Sequence, residues 1–383
     1  MKRILCLLLS IISILSFSGC SVQFMKPETV ETPAAEENVY NEGTLVGLIQ
    51  TPEGSEYSDL SLCLDKVCSD FCSTYDIFYA SYILPDISLS TMTDMIAGVV
   101  DDGVGVIILP GTDFTEAIEK CAAEYPRVLF IAVDVSGKDL SESFRLPVNV
   151  CCISFKEELA GFFAGYTAVA LGYTHLGFAG DKASPGVKRY GMGFTQGANK
   201  AAEELEKAVT LEYVYAGTGE VDDAVSNYID TWYQDLGVQL IFAVGDKLTD
   251  CVARSASEYG RKVIGADFDR FEEIDSYGEG ICVSCAEKSY TNVVRPVLQD
   301  VLVNDKWQDH SAKYEIYGLK EDGNIRQGYV QVSHYATQWN EAFGMEAYEA
   351  LAKRVFSGEI VVSSNIETPP EVSITVNYAD NIK

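Results

Sequence analysis

The feature that most constrains the fold is a regular alternation of short apolar runs with longer, partly polar ones. The short runs are rich in β-branched and aromatic residues, and most are apolar almost throughout. Strands of this kind, separated by crossovers of helix length, are typical of parallel sheets covered on both faces. The sequence therefore predicts an α/β protein with doubly wound parallel sheets. The predicted strands are 45–50, 75–80, 104–109, 128–135, 148–154, 176–179, 211–215, 240–244, 263–266 and 281–284. The predicted helices are 92–100, 116–124, 158–171, 187–205, 221–233, 248–258 and 290–303.

The length of the strand and helix series indicates two lobes. Residues 44–383 are too many for one compact core, and chains of this size divide into separate domains. The hydrophobic fraction of 47% and the 22 tyrosines indicate a folded chain. We therefore expect two doubly wound sheets, one in each lobe.

In sheets of this type, ligands bind outside the carboxyl ends of the strands. The residues that follow a predicted strand are therefore candidate ligand contacts, and they are Gln50, Thr51, Gly111, Asp134, Asp181, Gly245, Asp246 and Asp267. Asp134 and Asp267 end very apolar strands, where a carboxylate needs a strong partner. For Asp246 the simpler interpretation is a helix N-cap.

The amino terminus indicates export. A cationic start at 1–3 is followed by an apolar run at 4–17 and by small residues ahead of Cys20. This run is shorter than the roughly 20 residues of a spanning helix, so it is expected to be cleaved. The segment resembles the lipobox of bacterial lipoproteins, in which the cysteine is diacylated, although Phe17 stands where that pattern usually has Leu. The alternative is an ordinary secretory signal with an incidental cysteine.

Composition behind the cleavage point favours a tethered, acidic, exported protein. Residues 21–43 are rich in Pro, Thr, Glu and Ala and are predicted to be a disordered tether. The formal charge is −29, and removing Lys2 and Arg3 with the signal makes it −31. An acidic surface without clustered Lys or Arg argues against nucleic-acid partners.

Cysteine usage predicts buried thiols. Beyond Cys6 and Cys20 there are nine cysteines, an odd number, and most lie in apolar patterns where they act as small hydrophobic residues. Cys282 and Cys285 have the spacing of a metal or redox pair, but no second pair or nearby histidine completes a zinc site. We therefore expect no metal and no cofactor, and we leave one or two disulfides open.

A series of short motifs follows the order of one known family. The motifs are 130–134 (FIAVD), 158–161 (ELAG), 163–165 (FAG), 177–180 (GFAG), 185–187 (PGV), 193–194 (GF), 196–197 (QG), 264–267 (IGAD) with Asp269, 283–284 (VS) with Lys288, and 356–361 (FSGEIV). In this order and spacing the chain resembles the basic membrane protein (BMP) family of lipoproteins. The resemblance covers nearly all of residues 44–362.

The resemblance implies a type I periplasmic-binding-protein fold with two lobes joined by three crossings. The implied organisation is a signal peptide at 1–19, the lipidated Cys20 and tether at 20–43, lobe 1 at 44–150, lobe 2 at 151–280, a return to lobe 1 at 281–312, and a segment at 313–383 that completes lobe 2 and the hinge. Characterised members of the family bind purine nucleosides and deliver them to an ABC permease.

The same resemblance assigns roles to site residues. By position, Asp134 would contact the base, and Asp267 with Lys288 would hold the ribose hydroxyls. A carboxylate accepts and an ammonium donates hydrogen bonds to a vicinal diol, whereas the alternative is a structural ion pair. Gly245 is added from its position after a strand.

Aromatic residues are expected to stack on the base. Tyr57 matches a family phenylalanine after the first strand, with Ser58 in place of its asparagine partner. Tyr190 is included as a ligand candidate, whereas Phe194, one turn later, is expected in the core. The loop 50–57 lacks the family's aspartate, which leaves the identity of the base open.

Catalysis is not expected, because the sequence lacks a nucleophile elbow, a phosphate loop and a metal-spaced cluster of His and Asp. The predicted protein is a membrane-anchored, extracytoplasmic receptor for a small molecule, most simply a nucleoside. An alternative is the same fold recognising a sugar or autoinducer and signalling to a membrane sensor. Which ligand it binds, and whether it serves transport or sensing, stay open.

Overall fold

The computed structural model describes residues 45–320 and 328–382. The predicted signal peptide, the lipidation site Cys20 and the tether lie outside the described residues. Within them, no helix combines the length and apolar character required to span a membrane.

The described residues form thirteen strands, ten α-helices and two short 3₁₀ turns. The strands are β1 (Leu45–Gln50), β2 (Tyr79–Ile83), β3 (Val104–Pro110), β4 (Leu129–Val133), β5 (Val150–Phe155), β6 (His175–Gly180), β7 (Thr210–Tyr215), β8 (Leu240–Val244), β9 (Lys262–Asp267), β10 (Cys282–Lys288), β11 (Lys313–Tyr317), β12 (Val330–Val332) and β13 (Thr375–Tyr378). The helices are α1 (Ser58–Tyr75), α2 (Leu89–Asp101), α3 (Thr115–Glu124), α4 (Glu157–Ala170), α5 (Pro185–Glu204), α6 (Asp223–Gln234), α7 (Asp246–Tyr259), α8 (Phe271–Asp275), α9 (Tyr290–Leu302) and α10 (Met345–Phe356).

These strands form two sheets with the same core topology. The first has the order β2-β1-β3-β4-β5-β11 and is parallel throughout. The second has the order β13-β7-β6-β8-β9-β10-β12, and only its β10–β12 pair is antiparallel. The predicted doubly wound fold with two parallel-sheet lobes is therefore confirmed.

The chain passes between the sheets three times. It leaves the first sheet after β5 through α4, returns from β10 to α9, which packs on α1, and crosses again between β11 and β12. Each crossing starts at the carboxyl end of a strand. The carboxyl ends of the strands in both sheets therefore lie next to the segments that link the lobes.

Sheet membership differs from the predicted lobe boundaries at three strands. β5 pairs with β4 in the first sheet, although residue 151 was expected to open lobe 2. β10 pairs with β9 in the second sheet rather than returning to lobe 1, and β11 pairs with β5 rather than completing lobe 2. The sequence of an apolar strand does not indicate which sheet the strand joins. The chain passes to the other lobe only after each of these strands has ended.

The second strand lies later than predicted. Helix α1 continues to Tyr75 and ends at Asp76, which adopts a left-handed conformation with φ of 56° and donates its N–H to the carbonyl of Cys72. Asp is among the few non-glycine residues that tolerate this conformation. The strand therefore starts at Tyr79 instead of residue 75.

Helices α4 and α5 cross with their backbones in contact. A Cβ on Gly161 would lie 2.2 Å from the carbonyl oxygen of Tyr190, and one on Gly193 would lie 2.1 Å from the carbonyl oxygen of Glu158. Only glycine allows so close an approach. The crossing fixes the amino-terminal turns of the two helices, which face the same edge of the second sheet.

The nine cysteines of the described residues are all free, and eight of them are buried. Cys282 and Cys285 have their sulfur atoms 3.9 Å apart. Burial raises the pKa of Cys72 to about 11, which keeps this thiol protonated at neutral pH.

Candidate functional site

A cavity of about 100 Å³ lies between the carboxyl ends of the two sheets. Lobe 1 contributes the residues that follow β1, β3 and β4, and lobe 2 contributes those that follow β6, β8 and β9. This is the position expected for a ligand site in sheets of this type. The volume has room for several water molecules.

One ammonium group organises the inner end of the cavity. Lys288, at the end of β10, places its Nζ 2.8 Å from Asp134 Oδ2, 3.0 Å from Asp267 Oδ1 and 3.4 Å from Glu157 Oε1. Asp134 belongs to the first sheet and Asp267 to the second. Lys288 therefore connects the two lobes as well as the two predicted ligand residues.

The carboxylates fix the charge state of Lys288. Burial disfavours a charged lysine, but the charges of Asp134 and Asp267 outweigh this and raise the pKa of Lys288 well above its usual value. Burial raises the pKa of Asp134, and the ammonium of Lys288 opposes that effect. The site therefore holds a permanent cation that a ligand can share.

Both aspartates adopt a left-handed backbone conformation. Asp134 has φ of 67° and Asp267 has φ of 69°, in the left-handed region that non-glycine residues rarely occupy. Each follows or ends the corresponding strand of its sheet, β4 or β9. Asp tolerates this conformation better than most non-glycine residues, as at Asp76, and here it turns the chain at the end of each strand.

Two tyrosines complete the inner cluster. Tyr290 donates to Asp134 Oδ2 at 2.9 Å, and Tyr190 donates to Asp267 Oδ1 at 2.9 Å. The ring of Tyr190 also lies below the ammonium of Lys288, with 5.5 Å between Nζ and the ring centroid. Burial raises the pKa of both hydroxyls well above the usual value, so both remain donors.

Two glycines let side chains lie flat against strand ends. A Cβ on Gly111, where φ is 81°, would lie 2.2 Å from the ring of Tyr57, and one on Gly245, where φ is 118°, would lie 2.6 Å from Asp181 Oδ2. Gly111 follows β3 and Gly245 follows β8. The outer end of the cavity therefore has an aromatic face in lobe 1 and a carboxylate in lobe 2.

Ion pairs join the lobes beside this outer end. Lys182 bonds to Glu56 across the cleft. Arg270, which is buried, reaches Asp59 at 3.1 Å and also bonds to Asp246 and Glu273. These pairs bridge the cleft, so an opening movement of the lobes would separate them.

The structure brings together most of the predicted site residues. Asp134, Asp267, Lys288, Gly245, Tyr57 and Tyr190 all line the cavity. Ser58 does not; its hydroxyl donates to the carbonyl of Ser55 on the rim. Ser58 begins α1, and the turn ahead of it points Tyr57 inward and Ser58 outward.

Two further expectations concerned helix residues. Asp246 was expected to cap α7, but Gly245 holds the N-cap position, and Asp246 is the first helical residue and pairs with Arg270. Phe194 lies in the core against Phe178 and Phe242, as expected.

Sequence reasoning missed Glu157, Arg189 and Tyr290. Arg189 donates from Nε to Glu157 Oε2 at 2.6 Å, and both side chains line the cavity. A signal existed for Glu157, because α4 is buried on nearly every side and mostly apolar beyond the two acids of its first turn, Glu157 and Glu158. Nothing in the sequence indicated that Tyr290 would turn back to Asp134.

At one place in the described residues, side chains that could ligate a metal converge: Cys151, His310 and Glu315. Glu315 already contacts His310 Nδ1 at 2.7 Å and accepts from Tyr317 at 2.5 Å. Burial raises the pKa of the Cys151 thiol far above its usual value. This set is best described as a hydrogen-bonded His–Glu pair next to a thiol.

Comparison with known proteins identifies related sequences and folds. The model of the Bmp family, described as ABC transporter substrate-binding protein PnrA-like, matches residues 59–324. No curated protein matches the sequence significantly.

Solved structures with the same architecture are distant in sequence. An ABC transporter solute-binding protein from Conexibacter woesei is 17% identical with a TM-score of 0.63, covering 84% of this chain and 99% of that one. A transcriptional activator of the comK gene from Bacillus halodurans is also 17% identical with a TM-score of 0.63, covering 83% and 100%. A solute-binding protein from Burkholderia graminis in complex with D-arabinose is 15% identical with a TM-score of 0.54, covering 78% and 97%. At these identities the likeness concerns the fold alone.

Proposed function

We propose that this chain, which belongs to the Bmp family of PnrA-like ABC transporter substrate-binding proteins, captures a nucleoside, with a purine favoured, in the cavity between its lobes. The family is one of substrate-binding proteins and not of enzymes, and it implies a small-molecule ligand and a permease partner. The observation that carries the nucleoside proposal is the cluster of Lys288, Asp134 and Asp267 at the inner end of the cavity.

A ribose is the part of the ligand that this cluster suits. Asp267 Oδ1 accepts from Tyr190 and contacts Lys288, while Oδ2 has no hydrogen-bond partner among the described residues. One carboxylate oxygen of Asp267 is therefore available to accept from a ribose hydroxyl, and the ammonium of Lys288 can donate to the neighbouring hydroxyl.

The outer end of the cavity suits a planar base. Tyr57 lies against Gly111 with its hydroxyl 2.7 Å from Thr112 Oγ1, which fixes the ring in one orientation. An immobilised aromatic face stacks on a base at little entropic cost. A ribose at Lys288 and a base at Tyr57 together account for both ends of the cavity.

The cellular setting we propose is the outer face of the membrane. Cys20 would be diacylated and, once residues 1–19 are cleaved, would be the first residue of the mature chain, and residues 21–43 would tether the folded body. The permease would receive the ligand from the lobes. A chain with one lipid-bearing terminus stays close to a membrane partner and thereby gains effective concentration.

Thermal unfolding of the purified full chain tests the nucleoside assignment. The panel contains adenosine, inosine, uridine, adenine, D-ribose and D-arabinose, each at saturating concentration. A ligand at 100 times its dissociation constant adds about 2.7 kcal/mol to the unfolding free energy. We expect purine nucleosides to raise the transition temperature, and no shift with any nucleoside would refute the proposal.

A pentose is the competing ligand. The solute-binding protein from Burkholderia graminis holds D-arabinose, and the acceptor on Asp267 would serve a free sugar as well as a ribose. A shift with D-ribose or D-arabinose and none with adenosine would favour sugar binding, with transport or with a membrane sensor as the destination.

A further inference from the structure

Asp181 occupies a position in the cavity that neither the fold nor the inner cluster explains. It follows β6 directly and is only 8% exposed. Its Oδ1 accepts the backbone N–H of Lys182 at 2.5 Å. Its Oδ2 lies over the Cα of Gly245 and has no hydrogen-bond partner among the described residues.

The cation beside this carboxyl group is shared with another acid. The nearest ammonium belongs to Lys182, and its Nζ is bonded to Glu56 on the opposite lobe. The other charged groups that face Asp181 are Glu56 and Asp267, and both are acids. Asp181 therefore presents one oxygen at the cavity wall that has no partner among the described residues, and a ligand with a hydrogen-bond donor could pair with it.

The position of Asp181 matches the base end of a nucleoside. β6 is two strands from β9 in the second sheet, which places the ends of these strands about 10 Å apart. Asp267 at the end of β9 is the proposed ribose contact. The Glu56–Lys182 ion pair brings Tyr57 and Asp181 to facing sides of the cleft, because each is the chain neighbour of one partner. A base stacked on Tyr57 would thus present its edge to Asp181.

We propose that Asp181 accepts a hydrogen bond from an exocyclic amino group of the base, so that the site selects amino-bearing nucleosides over those that lack this group. The inference rests on the proposed function and specifies the ligand for the same cavity. Asp181 contacts the ligand directly in this account, and Gly245 is required because any side chain there would cover the acceptor oxygen.

The geometry also gives the site a dependence on pH. Burial raises the pKa of Asp181 to about 7, and the charge of Glu56 adds to the effect. An amino donor forms a stronger hydrogen bond with the carboxylate than with the protonated acid. Affinity for an amino-bearing nucleoside should therefore increase as the pH rises from 6 to 8, and binding should release protons.

Calorimetry on the full chain provides the test, with adenosine against purine riboside and guanosine against inosine. The two members of each pair differ by one amino group. In the pair that binds, we expect the amino-bearing member to bind about tenfold more tightly or better at pH 8, as for a hydrogen bond to a charged group, and less so at pH 6. D181N should remove the pH dependence and reduce the preference, because the amide oxygen still accepts but carries no charge and does not titrate. D113N, the same change at an acid of the outer cleft, should leave both in place.

The outcomes separate this inference from the function on which it rests. If nucleosides bind but the amino group makes no difference in the wild type, the inference is wrong and the proposed function stands. A preference in D181N that is as large as in the wild type and depends on pH in the same way would place the acceptor elsewhere and also refute it. If no nucleoside binds at all, the proposed function fails and the inference fails with it.

Discussion

At the scale of single residues, the cavity depends on one ammonium surrounded by three carboxylates. Lys288 is buried and contacts Asp134, Asp267 and Glu157. Removing one charged partner from a buried cluster destabilises the fold strongly, because the remaining charges stay buried without compensation. This loss is larger than the net stability that the intact cluster provides. Lys288 is therefore a structural necessity in the empty protein as well as a proposed ligand contact.

Lys288→Met should destabilise the protein by about 3–5 kcal/mol at pH 8. The loss should be smaller at pH 5, because burial raises the pKa of Asp134 and the variant removes the opposing ammonium. A carboxyl group whose pKa is higher in the folded state than in the unfolded state contributes stability at low pH and loses it as the pH rises.

Denaturant unfolding at both pH values measures this effect. Lys120→Met, which removes an exposed lysine paired with Glu116 on the same helix, is the control and should change little at either pH. Equal destabilisation of Lys288→Met at pH 5 and pH 8 would contradict the charge assignment.

Asp134, Asp267 and Gly245 were predictable as site residues, because parallel sheets bind ligands at the carboxyl ends of their strands. Their position after a strand did not predict which side chains they contact, since Glu157 and Tyr290 reach the site only through the crossings between lobes. The pairing of Lys288 with Asp134 was equally hidden. It joins residues 154 positions apart, and no local pattern encodes such a contact.

At the scale of elements, the α4–α5 crossing holds the site together. Glu157 begins α4, and Arg189 and Tyr190 lie in the first turns of α5. The four glycines at the contact, Gly161, Gly165, Gly193 and Gly197, each face a backbone carbonyl of the other helix. The direct backbone contact between α4 and α5 therefore sets the distance between Glu157 and Tyr190.

Gly193→Ala should force the two helices apart. The added Cβ would meet the carbonyl oxygen of Glu158 at 2.1 Å, and we expect a loss on the order of 3 kcal/mol, with weaker ligand binding in the folded fraction. Gly98→Ala in α2 is the matched control, because a Cβ there meets nothing within 4 Å. That change should stabilise by about 0.5–1 kcal/mol. Thermal unfolding distinguishes the two, and equal stabilities would contradict the packing argument.

Most strands and helices were predictable because their apolar residues follow the pattern of a buried strand or the period of a helix. β11, β12 and β13 were not, since β11 and β13 are largely exposed edge strands and β12 has three residues. Which sheet β5 and β10 join was also not predictable. That choice depends on where the chain crosses, which is set by packing between lobes.

At the scale of the whole molecule, the lobes are held closed by cross-cleft ion pairs. Glu56–Lys182 and Asp59–Arg270 connect the first sheet's loops to the second lobe. Both contacts bridge the cleft, so opening of the lobes to admit a ligand would break them and closure would restore them. Ligand binding then adds contacts that only the closed state makes.

Lys182→Met should shift the empty protein toward an open form. We expect a larger radius of gyration in small-angle X-ray scattering without ligand, and a return to the wild-type value at saturating nucleoside. Lys247→Met, at a neighbouring lysine paired with Glu220 in the same lobe, should leave the profile unchanged. A profile of Lys182→Met that does not respond to nucleoside would contradict closure on the ligand.

Export and anchoring form a separate prediction about the intact chain. Metabolic labelling with a fatty acid should mark the wild type and should not mark Cys20→Ser, because the cysteine after Gly19 is the proposed acylation site. Equal labelling of both proteins would show that the lipid is elsewhere.

The central claim is that a nucleoside binds between the lobes with its ribose on Asp267 and Lys288. Calorimetry of adenosine, adenine and D-ribose against the wild type and Asp267→Ala tests it most directly, with circular dichroism as the check on folding. We predict that adenosine binds the wild type far more tightly than adenine or D-ribose, and that Asp267→Ala loses about 2–5 kcal/mol of that affinity. Equal binding of adenosine and adenine, or an unchanged affinity of folded Asp267→Ala, would contradict the account.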